Sequence, residues 1–178
     1  MWLARVYLRQ GQGDKLLDLA HTAAVSSLAA EQKGQITLFA GVWLEDQGRF
    51  DDAIARYRQV AKVGEPASQR AEGQGRVGWG YYRLGRYREA FDQLRALVEQ
   101  HDGEFEPQAL YWMARAAELN QQPQAHDVYV QLCHRFIYTY YCQLARERTQ
   151  IPLPESVAPE PVQVSAPAND SEPVNGAA

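Results

Sequence analysis

No stretch of this 178-residue sequence approaches the roughly 20 consecutive apolar residues that a membrane-spanning helix requires. The opening segment, Met1 to Gln10, carries Arg5 and Arg9 and lacks the apolar run of about 7–15 residues typical of a secretory leader. As read, the chain bears no address. An excess of positive charge is also missing: 18 Lys and Arg stand against 22 Asp and Glu. No face is therefore expected to grip a phosphate backbone, and nucleic acid is not an expected partner. Cysteine is scarce, and Cys133 with Cys142 cannot make a disulfide scaffold. There is no Ser–His–Asp or Cys–His arrangement and no recognisable catalytic pair of carboxylates. Catalytic residues, metal ligands and cofactors are accordingly all expected to be none. His126, Cys133, His134 and Cys142 fit no zinc spacing. Cys133 falls on an apolar stripe and reads as a small core hydrophobe, with His126 and His134 facing solvent.

What the sequence does contain is repetition. Gly-Arg-aromatic turns occur at Gly48-Arg49-Phe50 and Gly85-Arg86-Tyr87, 37 residues apart, with Gly11 37 residues before Gly48 and Asn120 35 residues after Gly85. Past each turn come Leu16, Ala53, Ala90 and Ala125, then Ala20, Tyr57, Leu94 and Tyr129, then Ala23, Val60, Leu97 and Leu132. In the second unit the stripe is Ala53, Ile54, Tyr57, Val60 and Ala61, which places one helical face against a neighbour. Asp51, Asp52 and Glu89 sit where carboxylates can meet free N–H groups and the positive end of the helix dipole. In the preceding helices Tyr7, Leu44, Tyr81 and Ala116 align, and Gly41 and Gly78 supply a small residue for close approach.

Small residue, aromatic or Leu, Gly turn, aromatic, Ala: this is the tetratricopeptide pattern. The expected fold is all-α, an α-solenoid of about four helix pairs near 1–30, 35–63, 67–101 and 106–135, with a lone helix near 137–149. One pair cannot bury its own apolar face, so each unit leans on its neighbours. Residues 1–150 thus read as one repeat domain. Residues 151–178 hold six of the nine prolines, four acids, no Lys or Arg and no aromatic residue. Such a segment cannot offset the ordering entropy of roughly 1–2 kcal/mol per residue, and a disordered tail or linker is expected.

Gly73-Gln-Gly75-Arg-Val-Gly78 matches the dinucleotide-binding GxGxxG string, but no β run precedes it and Gly78 already has a place in the repeat. Gly73, Gly75 and Gly80 in the same helix predict a weak or kinked segment, since each costs ~1 kcal/mol relative to Ala. Phe136-Ile-Tyr-Thr-Tyr-Tyr141 has the aromatic density of a sugar or base platform, but it reads rather as the inner face of a helix that closes the stack. On the concave side, register places Glu45 and Asp46 of the second unit with Arg76, Trp79, Tyr82 and Arg83 of the third. Trp and Tyr beside Arg form a plausible anchor set for a protein or peptide partner. The Lys/Asn clamp of chaperone-tail-binding tetratricopeptide proteins is missing, with Gly75 and Trp79 at its key positions.

Ala109-Leu-Tyr-Trp-Met-Ala-Arg-Ala-Ala-Glu118, Tyr129-Val-Gln-Leu132 and Tyr140-Tyr-Cys-Gln-Leu-Ala-Arg-Glu-Arg148 together resemble the helical arm of soluble lytic murein transglycosylases. The likeness is specific over roughly 105–148 and generic to tetratricopeptide repeats before that. It departs from the pattern in lacking a Pro before the Tyr pair and in having Cys142 where Gly is typical. The resemblance implies a non-catalytic arm of a periplasmic enzyme of peptidoglycan turnover, partnered by a catalytic domain of the same polypeptide. Glu155-Ser156 is only superficially like that family's catalytic motif, since Glu155 lies between prolines. The alternative is a free-standing adaptor, including the envelope-assembly kind; with no leader read in the chain, a cytoplasmic location is the alternative to the periplasm.

Overall fold

The structure, a computed structural model, describes residues 1–100 and 103–152, excepting the side chain of Val25. The tail expected at 151–178 lies, beyond Pro152, outside the described residues. Within them all regular structure is helical. The helices are α1 (Trp2–Arg9), α2 (Gly13–Val25), α3 (Ala30–Asp46), α4 (Phe50–Val63), α5 (Ala67–Arg83), α6 (Tyr87–Val98), α7 (Glu106–Leu119), α8 (Ala125–Arg135) and α9 (Tyr140–Thr149). None is long and apolar enough to cross a membrane. Each helix packs on the next in sequence. The odd-numbered helices also approach one another, α1 on α3 and so on to α7 on α9, whereas the even-numbered helices do not. The odd helices are therefore the inner, concave layer and the even helices the outer one.

The turns repeat in atomic detail. Gly11, Gly48 and Gly85 adopt φ of 66°, 72° and 73°, a left-handed conformation that glycine reaches without steric penalty. Each turn closes with a paired bond: Gly48 N–H to Glu45 C=O at 2.9 Å and Arg49 N–H to Leu44 C=O at 2.9 Å, with the same pair around Gly11 and Gly85. In the fourth unit the left-handed residue is Gln121 (φ 54°), not the expected Asn120, which ends the helix at φ −91°. Gln121 N–H bonds Glu118 C=O at 3.0 Å, and Gln122 N–H bonds Ala117 C=O at 2.8 Å. The residue aligned with Tyr7, Leu44 and Tyr81 is thus Ala117 and not Ala116. A longer connection containing Pro123 follows before α8 starts, which hides the shift in the sequence.

Burial follows the stripes. Leu16, Ala53, Ala90, Tyr57, Leu94, Tyr129, Val60, Leu97 and Leu132 are all inaccessible or nearly so, while Ala125 is only half-buried. One apolar cluster runs from α3 to α9 and a smaller one joins α1, α2 and α3, with Trp43 packed against both. The expected carboxylates stand in the first turns of α4 and α6, and Glu89 accepts from its own backbone N–H; Arg49 Nε also holds Asp52 at 2.8 Å and Arg86 Nε holds Glu89 at 2.9 Å, and no N-cap side chain closes either helix. Each of these acids thus pairs with the arginine at the N-cap of its helix.

Three further expectations are corrected. First, α5 is one uninterrupted helix through residues 73–80. A Cβ on Gly73 would meet Ala61 N at 2.7 Å, and one on Gly78 would meet Leu94 Cγ at 2.5 Å. Close packing on α4 and α6 offsets the helix-propensity loss. Second, Cys133 is not a free core cysteine: it is disulfide-bonded to Cys142, the two Cα atoms 4.8 Å apart, tying α8 to α9. Third, α9 begins at Tyr140 and not near 137. Thr139 Oγ1 accepts from Cys142 N–H at 3.3 Å as its N-cap. Tyr138 and Tyr140 consequently stand 87% and 66% exposed, and only Phe136 and Tyr141 of that run pack against the core.

Candidate functional site

Counted back from the left-handed residue of each turn, positions nine, six and three residues earlier form one stripe on the inner helices. They are Phe39, Val42 and Glu45 on α3, Arg76, Trp79 and Tyr82 on α5, and Trp112, Arg115 and Glu118 on α7. Intervals of three keep these residues on one helical face, with each trio beside the next. Contacts between trios confirm the alignment. Trp79 Nε1–H donates to Glu45 Oε1 at 2.8 Å, and the Trp79 and Trp112 rings lie 4.4 Å apart between centroids. Arg115 reaches the Tyr82 hydroxyl at 3.4 Å. Aromatic contacts then continue from Trp112 to Tyr111 (5.1 Å) and from Tyr111 to Tyr141 on α9 (5.7 Å).

Two carboxylates knit this face to the outer helices. Glu45 Oε2 accepts from the buried Tyr57 hydroxyl at 2.7 Å and lies 3.9 Å from Arg76. Glu118 accepts from the Tyr129 hydroxyl at 3.0 Å, from Arg115 at 2.7 Å, and from Arg148 Nε and Nη2 at 2.8 Å each. The Arg148 bond, with Tyr129 and Arg115 behind it, holds the Glu118 carboxyl down at about 2 against some desolvation. Burial first, and then the adjacent carboxylate, push both Tyr57 and Tyr129 well above the ordinary phenol value. Glu118 is ionised and saturated with donors, an anchoring group and not an acid catalyst. Among the described residues no three His, Cys, Asp or Glu gather as a metal site.

The structure brings together five of the six residues singled out in the sequence. Glu45, Arg76 and Trp79 meet directly, Tyr82 stacks on Trp79 at 5.6 Å and 13°, and the exposed Arg83 lies over the Phe50 and Trp79 rings. Asp46 is exposed and makes no hydrogen bond or ion pair among the described residues. Trp79 is neither a free anchor nor a core residue: it is half-buried, and it lines a recess of about 260 Å³ between α5 and α7. Trp112, Tyr141 and Phe105 share that recess, and Arg115 and Arg148 meet on Glu118 along the same face; none was named in the sequence as a groove residue. Starting the count from Gln121 instead of Asn120 would have found Trp112, Arg115 and Glu118.

Comparison with known proteins agrees with this geometry. A tetratricopeptide-repeat profile matches residues 76–103, from the middle of α5 through α6. A crystal structure from Podosopora anserina, described as a kinesin light chain with nearly identical tetratricopeptide-like repeats, is similar at a TM-score of 0.61. It shares 19% identity over 83% of this chain and 85% of that chain. A variant of it gives 0.63 at 18% identity and the same coverage. No curated protein matches the sequence. At such identities the likeness is one of fold: the described residues form an all-α, tetratricopeptide-like helical repeat. Neither structure is of a murein transglycosylase.

Proposed function

We propose that this chain binds an extended segment of a protein partner along its concave α3–α5–α7–α9 face, and that it performs no chemistry there. The observation that carries the reading is the registered stripe of Trp79, Tyr82 and Trp112 between Arg76, Arg83 and Arg115, around an apolar recess. Large rigid aromatics beside guanidinium groups concentrate binding energy at interfaces. The test is a displayed random-peptide library selected on the full chain, with the winners then titrated against variants. Trp79→Ala should weaken them about thirtyfold, a loss of about 2 kcal/mol. Because that substitution also loosens packing, Arg83→Glu on the exposed rim should independently weaken them about tenfold. Selected peptides that bind both variants as well as the parent would place recognition elsewhere.

A narrower reading, the arm of a periplasmic murein transglycosylase, is favoured by one observation. The Cys133–Cys142 disulfide falls inside the stretch that resembles that family, and disulfides persist in oxidising compartments such as the periplasm. Two measurements test it: whether the gene continues past Ala178 into a lysozyme-like domain, and whether the cysteines of cellular protein resist alkylation until reduced. Freely alkylated thiols in protein extracted under acid quench would favour a cytosolic adaptor.

A further inference from the structure

Helix α5 has four glycines in its interior, and three are explained by crowding. A Cβ on Gly73, Gly78 or Gly80 would come within 2.7 Å of a neighbouring helix. Gly75 is different. A Cβ there would meet only Leu97 Cδ2, at an ordinary contact distance of 3.5 Å, and its backbone is helical. Neither space nor conformation asks for glycine, although alanine would favour the helix. What glycine leaves is room: Gly75 forms part of the wall of the 260 Å³ recess, floored by Leu94 and Leu97 and enclosed by Phe105, Trp79, Trp112 and Tyr141.

The rim charges are already spent on each other. Arg76 pairs with Glu72 at 3.1 Å and stands 3.9 Å from Glu45. The two charged residues that line the recess, Glu72 and Arg76, thus neutralise each other, and its apolar aromatic walls would penalise a charged guest. Gln108 at the edge makes no side-chain hydrogen bond among the described residues, and its amide suits a peptide link.

We propose that Gly75 keeps this recess open for one large uncharged aromatic side chain, of the phenylalanine class, on an extended segment of a separate protein. The proposal rests on the concave-face reading and specifies its anchor. The chain's own residues 153–178 contain no aromatic group to fill the recess.

The test titrates N-acetyl-phenylalaninamide and N-acetyl-aspartamide into the full chain while following the indole N–H resonances of Trp79 and Trp112. Saturable shifts of both indoles are expected with the phenylalanine probe, and affinity at least about tenfold lower for the aspartate probe. Gly75→Leu should abolish the response with its melting temperature retained, while Gly75→Ala should keep the response and raise the melting temperature. An absent or non-saturable shift overturns the proposal, as does an equal response in Gly75→Leu. So does unfolding of Gly75→Leu to the extent seen in Gly78→Leu, which would make the gap a packing requirement. Competition by a synthetic peptide of residues 151–178, or self-association lost in Gly75→Leu, would assign the recess to this chain and equally overturn it. Failure here leaves the displayed-peptide result with Arg83→Glu standing, so the anchor and the face are judged separately.

Discussion

Glu45 on α3 and Glu118 on α7 stand three residues before the left-handed residue of their turns, and each accepts a buried tyrosine hydroxyl from the next helix. Their remaining partners differ. Glu45 takes one indole N–H from the following repeat and has a single arginine at 3.9 Å. Glu118 takes guanidinium hydrogens from both Arg115 on its own helix and Arg148 on α9. One position in the repeat thus serves two purposes. At Glu45 it fixes an aromatic side chain of the groove by a neutral donor, and at Glu118 it fastens the last helix by charge. The first junction has little redundancy and the second has much.

Three perturbations sharpen that contrast. The largest effect is expected from Trp79→Ala, which removes an indole packed on Trp112 and Tyr82 and strips Glu45 of one of its donors. A urea melt should show a loss of about 3 kcal/mol, near the lower end for a large aromatic because the ring is half-exposed. A loss below about 1 kcal/mol would mean that the α3–α5 junction does not depend on it.

Next comes a matched pair of hydroxyl deletions. Tyr57→Phe should cost about 2 kcal/mol, since Glu45 is left with few donors, and Tyr129→Phe about 1 kcal/mol, since the arginines still satisfy Glu118. Equal losses would erase the distinction between the two junctions.

The smallest effect is a pH dependence. Glu118 is depressed to about 2 in the folded chain, so its contribution is present above the ordinary carboxylate value of about 4.3. It is lost as pH falls from there toward about 2. Because the side chain is more than a third exposed, the contribution is on the order of 1 kcal/mol after solvent screening. Glu118→Gln should be less stable at pH 7 by that amount and lose less on acidification. Parallel stability curves for the two proteins between pH 5 and pH 2 would remove the charge anchor from the account.

The parts of this molecule that were legible from sequence are those in which chemistry and interval repeat together. Ala53 and Ala90, Tyr57 and Leu94, and Gly48 and Gly85 recur at one period, and each lands where the pattern puts it. Legibility failed where one residue slipped. Asparagine tolerates the left-handed region better than glutamine, so Asn120 was the natural turn residue, yet Gln121 takes that conformation. From Asn120 the stripe falls on Tyr111, Ala114 and Ala117, and from Gln121 on Trp112, Arg115 and Glu118. The α7 trio, a third of the stripe, was hidden by that offset. The disulfide was hidden for a different reason: which cysteines meet depends on where the 136–139 turn sends the chain, and α9 starts later than its apolar residues suggest.

The layering has a mechanical consequence. Neighbouring repeats meet through the inner helices and, more extensively, through each outer helix on the next inner one, while the outer helices do not touch one another and are held together only by way of the inner layer. Bending that slides each outer helix on the next inner one changes the groove's curvature without breaking any contact between outer helices. At one end the covalent link between α8 and α9, with Arg148 on Glu118, clamps the last coils. Compliance is therefore graded along the molecule, softer toward α1 and stiffest where α9 closes the stack.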